Sequence, residues 1–269
     1  MKNMSEELIP EREDLPNKPL VEAIFEVQWA FGSAEGQSEI DPGFRILLGR
    51  LYDRIRSEYP FLENLPQAQF PEEMTGRLVR HRFRTAKDGW PLVQVGPGVL
   101  SVNETQQYSW DSFRPRLTQA IKALFESYPT DIHPLKVTQV VLRYLDAIPI
   151  AEGIPLLQFL KESLHTTVEV DKRLFQNSQA ASSPNGISLN LVFKLPELPG
   201  AIALSFGVGK KENQLSLIWD TQVLAQADDV PQTIEAYESW LIAAHDLAGR
   251  WFRTLSSGKL YESFRRKES

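Results

Sequence analysis

The alternation of apolar and polar residues predicts the first elements of this chain. From Leu20 to Trp29 every odd-numbered residue is apolar, and a period of two is typical of a strand that buries one face. From Phe44 to Tyr59 the apolar residues recur at every third or fourth position, which predicts an amphipathic helix that ends before Pro60. We therefore expect the folded part to begin with a strand and a helix.

Three further strands and a second helix are predicted next, and the same order of elements then recurs. The first set consists of the strands Arg77–Lys87, Pro91–Gly96 and Val99–Glu104 and the helix Trp110–Tyr128. The second set consists of the strand Val137–Asp146, the helix Ile154–Leu164, the strands Ile187–Leu195, Ala201–Val208 and Leu215–Thr221, and the helix Ile234–Leu255. Asp111 or Ser112 is the predicted N-cap of the first long helix, which would place Pro115 in the first turn, where proline is tolerated.

Both parts of the chain thus predict the order strand, helix, three strands, helix, and the fold class that we expect is α+β. Each unit would form an antiparallel sheet with helices packed on one face, a layout similar to that of the TATA-binding protein. Such a likeness in layout implies no function. The predicted organisation is a flexible acidic tail at residues 1–16, a first unit at 17–130, a second unit at 131–257 and a basic C-terminal tail at 258–269.

Composition and charge exclude several classes of protein. The 269 residues carry 29 Lys and Arg against 35 Asp and Glu, and this formal net charge of −6 disfavours a dedicated nucleic-acid binder, which needs a positive surface. The absence of cysteine excludes disulfides, thiolate metal ligands and cysteine nucleophiles. The sequence shows no secretory signal and no apolar stretch long enough to cross a bilayer, so we expect a cytoplasmic protein that does not enter a membrane.

A row of arginines is the most unusual local feature. Arg80, Arg82 and Arg84 alternate along the predicted strand, so their side chains would lie on one face, about 7 Å apart. Guanidinium groups in such a row suit phosphate or carboxylate ligands, which makes the three residues candidates for anion binding. The alternative is a structural row of cross-strand ion pairs with carboxylates such as Glu22 and Glu26.

The sequence nominates no catalytic residue, no metal site and no cofactor. No two of the four histidines lie within five residues of each other, so a local metal-binding motif is absent. His245 and Asp246 adjoin on the last predicted helix, where neighbouring residues point in different directions. Four carboxylates lie at predicted element ends, where acid–base, metal and capping roles are all open, and no spacing selects a pair among Glu104, Asp111, Asp146 and Asp220. The tryptophans fit apolar stripes and are interpreted as core residues.

Four segments carry a resemblance to a known family. They are Leu15–Val27, Gly98–Asn103, Tyr108–Phe113 and Leu142–Asp146. In these segments the chain resembles a sporadically distributed bacterial and archaeal family of uncharacterised proteins of similar length. The resemblance implies no established activity, cofactor or catalytic residue, and members often carry Asn where this chain has Asp146. The patchy distribution implies mobile accessory genes, of the kind found in prokaryotic defence regions that include CRISPR-type loci.

The leading hypothesis from the sequence is a non-enzymatic protein-interaction or accessory protein. A well-patterned core without candidate catalytic groups favours a sheet face or a sheet edge that contacts a protein partner or a second copy of the chain. Two alternatives stay open. One is an anion- or nucleic-acid-binding module that uses Arg80, Arg82 and Arg84, and the other is a metal-dependent hydrolase or nuclease built from scattered carboxylates.

Overall fold

The computed structural model describes residues 15–32, 40–105 and 107–266, which form one antiparallel sheet of nine strands with helices packed against it. This arrangement confirms the predicted α+β class. Residues 1–14, which make up most of the predicted acidic tail, lie outside the described residues. The strands are β1 (Leu20–Trp29), β2 (Phe61–Asn64), β3 (His81–Arg84), β4 (Leu92–Gly96), β5 (Val99–Glu104), β6 (Val137–Pro149), β7 (Ser188–Lys194), β8 (Ala201–Lys211) and β9 (Gln214–Gln226).

The described part of the chain contains six α-helices, and the long helices α1, α3 and α5 bury their apolar sides in the main core. They are α1 (Phe44–Ile55), α2 (Glu72–Thr75), α3 (Trp110–Ser127), α4 (Leu156–Ser163), α5 (Ile234–Ser256) and α6 (Lys259–Arg265). The stripe predicted for α3 is buried at Phe113 and Leu117, and that of α5 is buried at Trp240 and Leu241. Burial of this periodic stripe holds each long helix against the strands, because isolated helices of this length are marginal in water.

β1 and β6 lie side by side at the centre of the sheet, in the strand order β2-β3-β4-β5-β1-β6-β9-β8-β7. Their antiparallel register places Phe25 opposite Leu142. We call β1–β5 with α1–α3 the first half of the molecule and β6–β9 with α4–α6 the second half. The first half ends at the edge strand β2, and the second half ends at the edge strand β7.

The helix-covered face of the sheet contains the two apolar cores. Phe25, Val27 and Leu142 are fully buried in the main core, which both halves share. A smaller core in the second half surrounds Trp219 and Phe206, against α4 and α6. Each fully buried side chain of this size contributes about 1.5–3 kcal/mol, so the cores supply the main driving force for the fold.

The opposite face carries a chain of cross-strand hydrogen bonds between polar side chains. Arg82 Nε donates to Gln94 Oε1 (2.8 Å), Gln94 Nε2 donates to Asn103 Oδ1 (3.1 Å), and Asn103 Nδ2 donates to Glu22 Oε1 (2.7 Å). These contacts link β3, β4, β5 and β1 in turn. Polar residues on this face of the first half therefore bond to one another.

Strand β2 was not expected from the sequence. Its four residues show no alternation, and three of them are exposed. Phe61 and Leu62 pair with Arg84 and Phe83 of β3. Backbone pairing with β3, rather than a pattern in its own sequence, therefore forms this strand. The adjoining strand β3 is accordingly shorter than predicted and begins at His81.

The N-cap of α3 is Ser109 rather than Asp111 or Ser112. The Ser109 hydroxyl accepts a hydrogen bond from the backbone N–H of Ser112 (3.3 Å), and the helix begins at Trp110. Pro115 consequently lies in the second turn of α3 rather than in the first.

The described part of the predicted basic tail is a folded helix. Gly258 adopts a left-handed φ of 85°, which redirects the chain after α5. Helix α6 then buries Tyr261 and Phe264 in the smaller core. The backbone N–H of Asn17 donates to the carbonyl of Phe264 (3.0 Å), which fastens α6 beside the start of β1.

Candidate functional site

Arg80 lies outside the arginine row that the sequence predicts, because it precedes β3 and is only 7% exposed. Its Nη2 donates to the carbonyls of Ala68 (2.9 Å) and Phe70, and so holds the 3-10 turn Pro66–Gln69 in place. Since the guanidinium is buried against backbone carbonyls, its contacts favour a structural role.

Arg82 and Arg84 point to the same side of β3, where both contact Glu63 of β2. Arg84 Nε donates to Glu63 Oε2 (2.7 Å), and Arg82 Nη1 lies 3.7 Å from Glu63 Oε1. The carboxylate that faces the row is therefore Glu63, whereas Glu22 and Glu26 lie on β1, three strands away from β3. These contacts favour the ion-pair interpretation, and anion binding by the three arginines stays a prediction.

The edge strand β7 presents an unusual surface. Its seven residues contain neither proline nor a charge before Lys194, and Val192 and Phe193 are 62% and 44% exposed. On its outer side, β7 shares no backbone hydrogen bond with any residue of the described ranges. An uncharged edge with unpaired backbone groups is a template for another strand.

The edge strand β2 differs from β7 in length and protection. It has four residues, and Pro60 precedes it, which removes a backbone donor from that edge. Glu63, at the centre of the strand, adds a charge that is engaged with Arg84. Phe61 and Leu62 are exposed there, but the backbone offers little length for pairing.

A cavity of about 580 Å³ lies on the helix-covered side, between the sheet and helices α3, α5 and α6. Its rim includes the exposed residues Asp111 and Arg250, and its floor includes the buried residues Asp146 of β6 and Thr221 of β9. The cavity thus extends from the surface to the sheet. Its size is typical of small-molecule sites.

A stacked aromatic cluster forms one wall of this cavity. The imidazole of His245 lies parallel to the indole of Trp110, with ring centroids 3.9 Å apart and an interplanar angle of 8°. Nδ1 of His245 lies 2.7 Å from the hydroxyl of Tyr144, which lies 3.1 Å from the hydroxyl of Tyr108. Together with the packing, these polar contacts fix the ring orientations.

Asp146 is the most unusual group in the cavity. Its side chain is 4% exposed, and no described residue donates a hydrogen bond to it or forms an ion pair with it. Burial, together with repulsion from Asp220, raises the pKa of Asp146 to about 7, and attraction to Lys211 opposes the rise. Such a carboxyl can accept or release a proton near neutral pH or bind a cationic group.

The four carboxylates that the sequence could not rank differ in their surroundings in the structure. Asp111 and Asp146 both line the cavity, at its rim and its floor. Asp220 forms a two-point ion pair with Arg143 (2.8 Å from Nη2), and Glu104 lies 3.8 Å from Nε of Arg116. No group of three or more metal-ligating His, Cys, Asp or Glu residues exists within residues 15–32, 40–105 and 107–266.

A larger depression of about 860 Å³ lies on the outer surface between α1, α3 and α5. Its lining is mainly charged, and Arg54 and Glu126 pair across it at 2.6 Å with both side chains substantially exposed. Exposed ion pairs contribute little binding energy to a ligand, because water already solvates their charges. The smaller cavity is therefore the better candidate site.

Comparisons with known proteins give no family for the chain. No protein-family model matches it, and no curated protein matches it at a significant level. Of the helices that the structure describes, none has the length and apolar character to cross a membrane.

Proposed function

We propose that this chain is a non-enzymatic interaction protein and that it pairs with a second copy of itself through β7. The observation that carries the proposal is the seven-residue edge strand without charge or proline before Lys194. Natural edge strands normally carry charged residues or proline, which prevent pairing with another strand. The absence of both before Lys194 favours an interaction in which a second strand is added to β7.

The sequence of β7 is complementary to itself when two copies run antiparallel. With the two-fold axis at Leu191, Leu189 faces Phe193 of the other copy, and Leu191 faces its own equivalent. These side chains share the helix side of the sheet, because their β8 partners Phe206, Leu204 and Ile202 are buried there. Apolar side chains would therefore meet apolar side chains across the join.

The same register avoids electrostatic repulsion. Lys194 faces Ser188 of the other copy, and Asn190 faces Val192, so no like charges oppose each other. Seven paired residues form a small interface, and we expect a dissociation constant on the order of 10 μM. Phe193 already rests its ring on Trp251 of α5 (5.3 Å between centroids), which pre-orders part of the contact.

Sedimentation velocity of the full chain over a concentration series tests this proposal. We expect a monomer–dimer equilibrium for the wild type and monomers for Leu191→Lys and for Leu191→Glu, since each would place like charges at the two-fold axis. An equimolar mixture of these two variants should recover a dimer, because Lys would then face Glu. Leu62→Lys in β2 is the matched control and should leave the dimer unchanged.

Circular dichroism and thermal unfolding establish that each variant is folded before its mass is interpreted. A wild type that stays monomeric throughout the series would overturn the proposal. Recovery of no dimer in the mixture, or loss of the dimer in Leu62→Lys, would overturn it as well, because the contact would then lie elsewhere.

A further inference from the structure

The cavity beneath α5 contains two charged side chains of opposite sign that pair with nothing in the described structure. Asp146 lies on its floor, and Arg253 of α5 lines its wall. They form no ion pair with each other or with another described residue. Their charges remain separate within one cavity, although a direct pair would relieve both.

The burial of Asp146 and of part of the Arg253 guanidinium makes this arrangement costly. The side chain of Asp146 is 4% exposed, and Nε of Arg253 is buried without a hydrogen-bond partner. A buried charge that lacks a partner destabilises a fold, so native proteins normally pair such groups or neutralise them. Two such groups in one cavity point to a partner supplied from outside.

The other charged groups of the cavity are placed differently. Lys18 donates to the backbone carbonyl of Tyr108 (2.6 Å), and Arg250 and Asp111 belong to the exposed rim, where water screens them. Asp246 of α5 also lines the cavity, and it has contacts of its own. Asp146 and Arg253 stand out among the charged lining residues, because each has a buried polar part and no hydrogen bond or ion pair with a described residue. Aromatic side chains, which include Trp110, Phe252 and Tyr261, also line the cavity.

We infer that this cavity binds a small zwitterion of the free amino acid class with an aromatic side chain. Its ammonium group pairs with Asp146, its carboxylate pairs with Arg253, and its side chain packs against the aromatic surfaces. Charge-assisted hydrogen bonds of this kind suit both charged groups of the ligand, which share its α-carbon. The volume of about 580 Å³ accommodates a ligand of this size. This site is independent of β7 and of self-association.

Isothermal titration calorimetry of the full chain with three matched probes tests the inference. L-Phenylalanine carries both charges, phenethylamine lacks the carboxylate, and 3-phenylpropionate lacks the ammonium group. We expect L-phenylalanine to bind at least about tenfold more tightly than either analogue, since each analogue leaves one buried charge unpaired. Absence of binding by L-phenylalanine, or equal binding of an analogue, would overturn the inference.

Two variants test which residue binds the ammonium group of the ligand and which binds its carboxylate. Asp146→Asn should remove the preference for L-phenylalanine over 3-phenylpropionate, and Arg253→Gln should remove the preference for L-phenylalanine over phenethylamine. Asp111→Asn, at the rim of the same cavity, is the control and should keep both preferences. A variant that lowers the affinity for all three probes equally would indicate a structural effect and would contradict the assignment of that residue.

Discussion

Two buried aspartates, one in each half of the molecule, differ in the number of hydrogen bonds that they accept from the described residues. Asp41, in the loop before α1, is 2% exposed and accepts four hydrogen bonds. They come from Nε1 of Trp29 (2.8 Å), the hydroxyl of Tyr128 (2.8 Å), and the backbone N–H groups of Gly43 (3.0 Å) and Gly98 (3.1 Å). Asp146 is 4% exposed and accepts none from the described residues.

The same contrast extends to the sheet edges. Both edge strands leave their outer backbone groups unpaired within the described ranges, but Glu63 of β2 is engaged with Arg82 and Arg84, whereas β7 carries no charge before Lys194. A polar group without a partner reduces stability, and it is retained where another molecule completes it. The comparison therefore sets a fully bonded aspartate and a charged edge strand in the first half against an aspartate without a described partner and an uncharged edge strand in the second half.

The largest effect that we expect comes from Asp41→Asn. An amide offers one acceptor oxygen and turns an N–H₂ group toward donors that the carboxylate now satisfies. Loss of two buried hydrogen bonds and the resulting donor–donor contacts should lower the free energy of unfolding by about 3–5 kcal/mol. Urea denaturation at neutral pH measures this change. A loss below about 1 kcal/mol would contradict the role of Asp41 as a junction between β1, α3 and the turn after β4.

The same substitution at Asp146 should have the opposite sign. The pKa of Asp146 is raised to about 7 in the folded protein, above the value near 3.9 of an unfolded chain. Between these values the folded state binds more protons than the unfolded state, so the stability of the wild type falls as the pH rises through this window. Above pH 7 the penalty is complete, and Asp146→Asn should then be more stable by about 2–4 kcal/mol.

Urea denaturation of both proteins from pH 4 to pH 8 measures the difference. The advantage of Asp146→Asn should fall below about 1 kcal/mol at pH 4, where the wild-type carboxyl is protonated in the folded state and about half protonated in the unfolded state. A constant difference across the pH range would show that Asp146 does not titrate in this window, and the contrast with Asp41 would lose its electrostatic basis.

The elements that the sequence predicted well are those whose own pattern is buried. Strand β1 has the predicted bounds because four of its odd-numbered residues are buried in the core, which are Ala23, Phe25, Val27 and Trp29. Strand β2 and helix α6 were missed for the opposite reason. β2 is held by the side chains of β3, and α6 is held by Tyr261 and Phe264, which become apolar core only after Gly258 turns the chain back. Such contacts between distant segments leave no periodic signal.

The candidate cavity was even harder to predict from the sequence, because its residues come from distant segments of the chain. Trp110 is a buried residue, as its stripe predicts, but its stacking partner His245 lies 135 positions further along the chain. Asp146 stood among four equivalent carboxylates, and only burial distinguishes it from Asp220, which pairs with Arg143. The arginine row was the clearest signal in the sequence, yet the charge that engages it comes from the strand that the pattern did not reveal.

The smallest effect that we expect concerns that charge. Glu63→Gln weakens the contact with Arg84, whose side chain is 12% exposed, and we expect a loss of about 1 kcal/mol in the free energy of unfolding. Glu72→Gln is the matched control, because it removes the ion pair with Arg45, whose side chain is 89% exposed. Solvent and salt screen that pair, so its loss should not be measurable. Chemical denaturation at low and high ionic strength compares the two variants. If both lose the same stability, the Glu63 pair is an ordinary surface contact, and the first half owes its closed edge to the shortness of β2 and to Pro60.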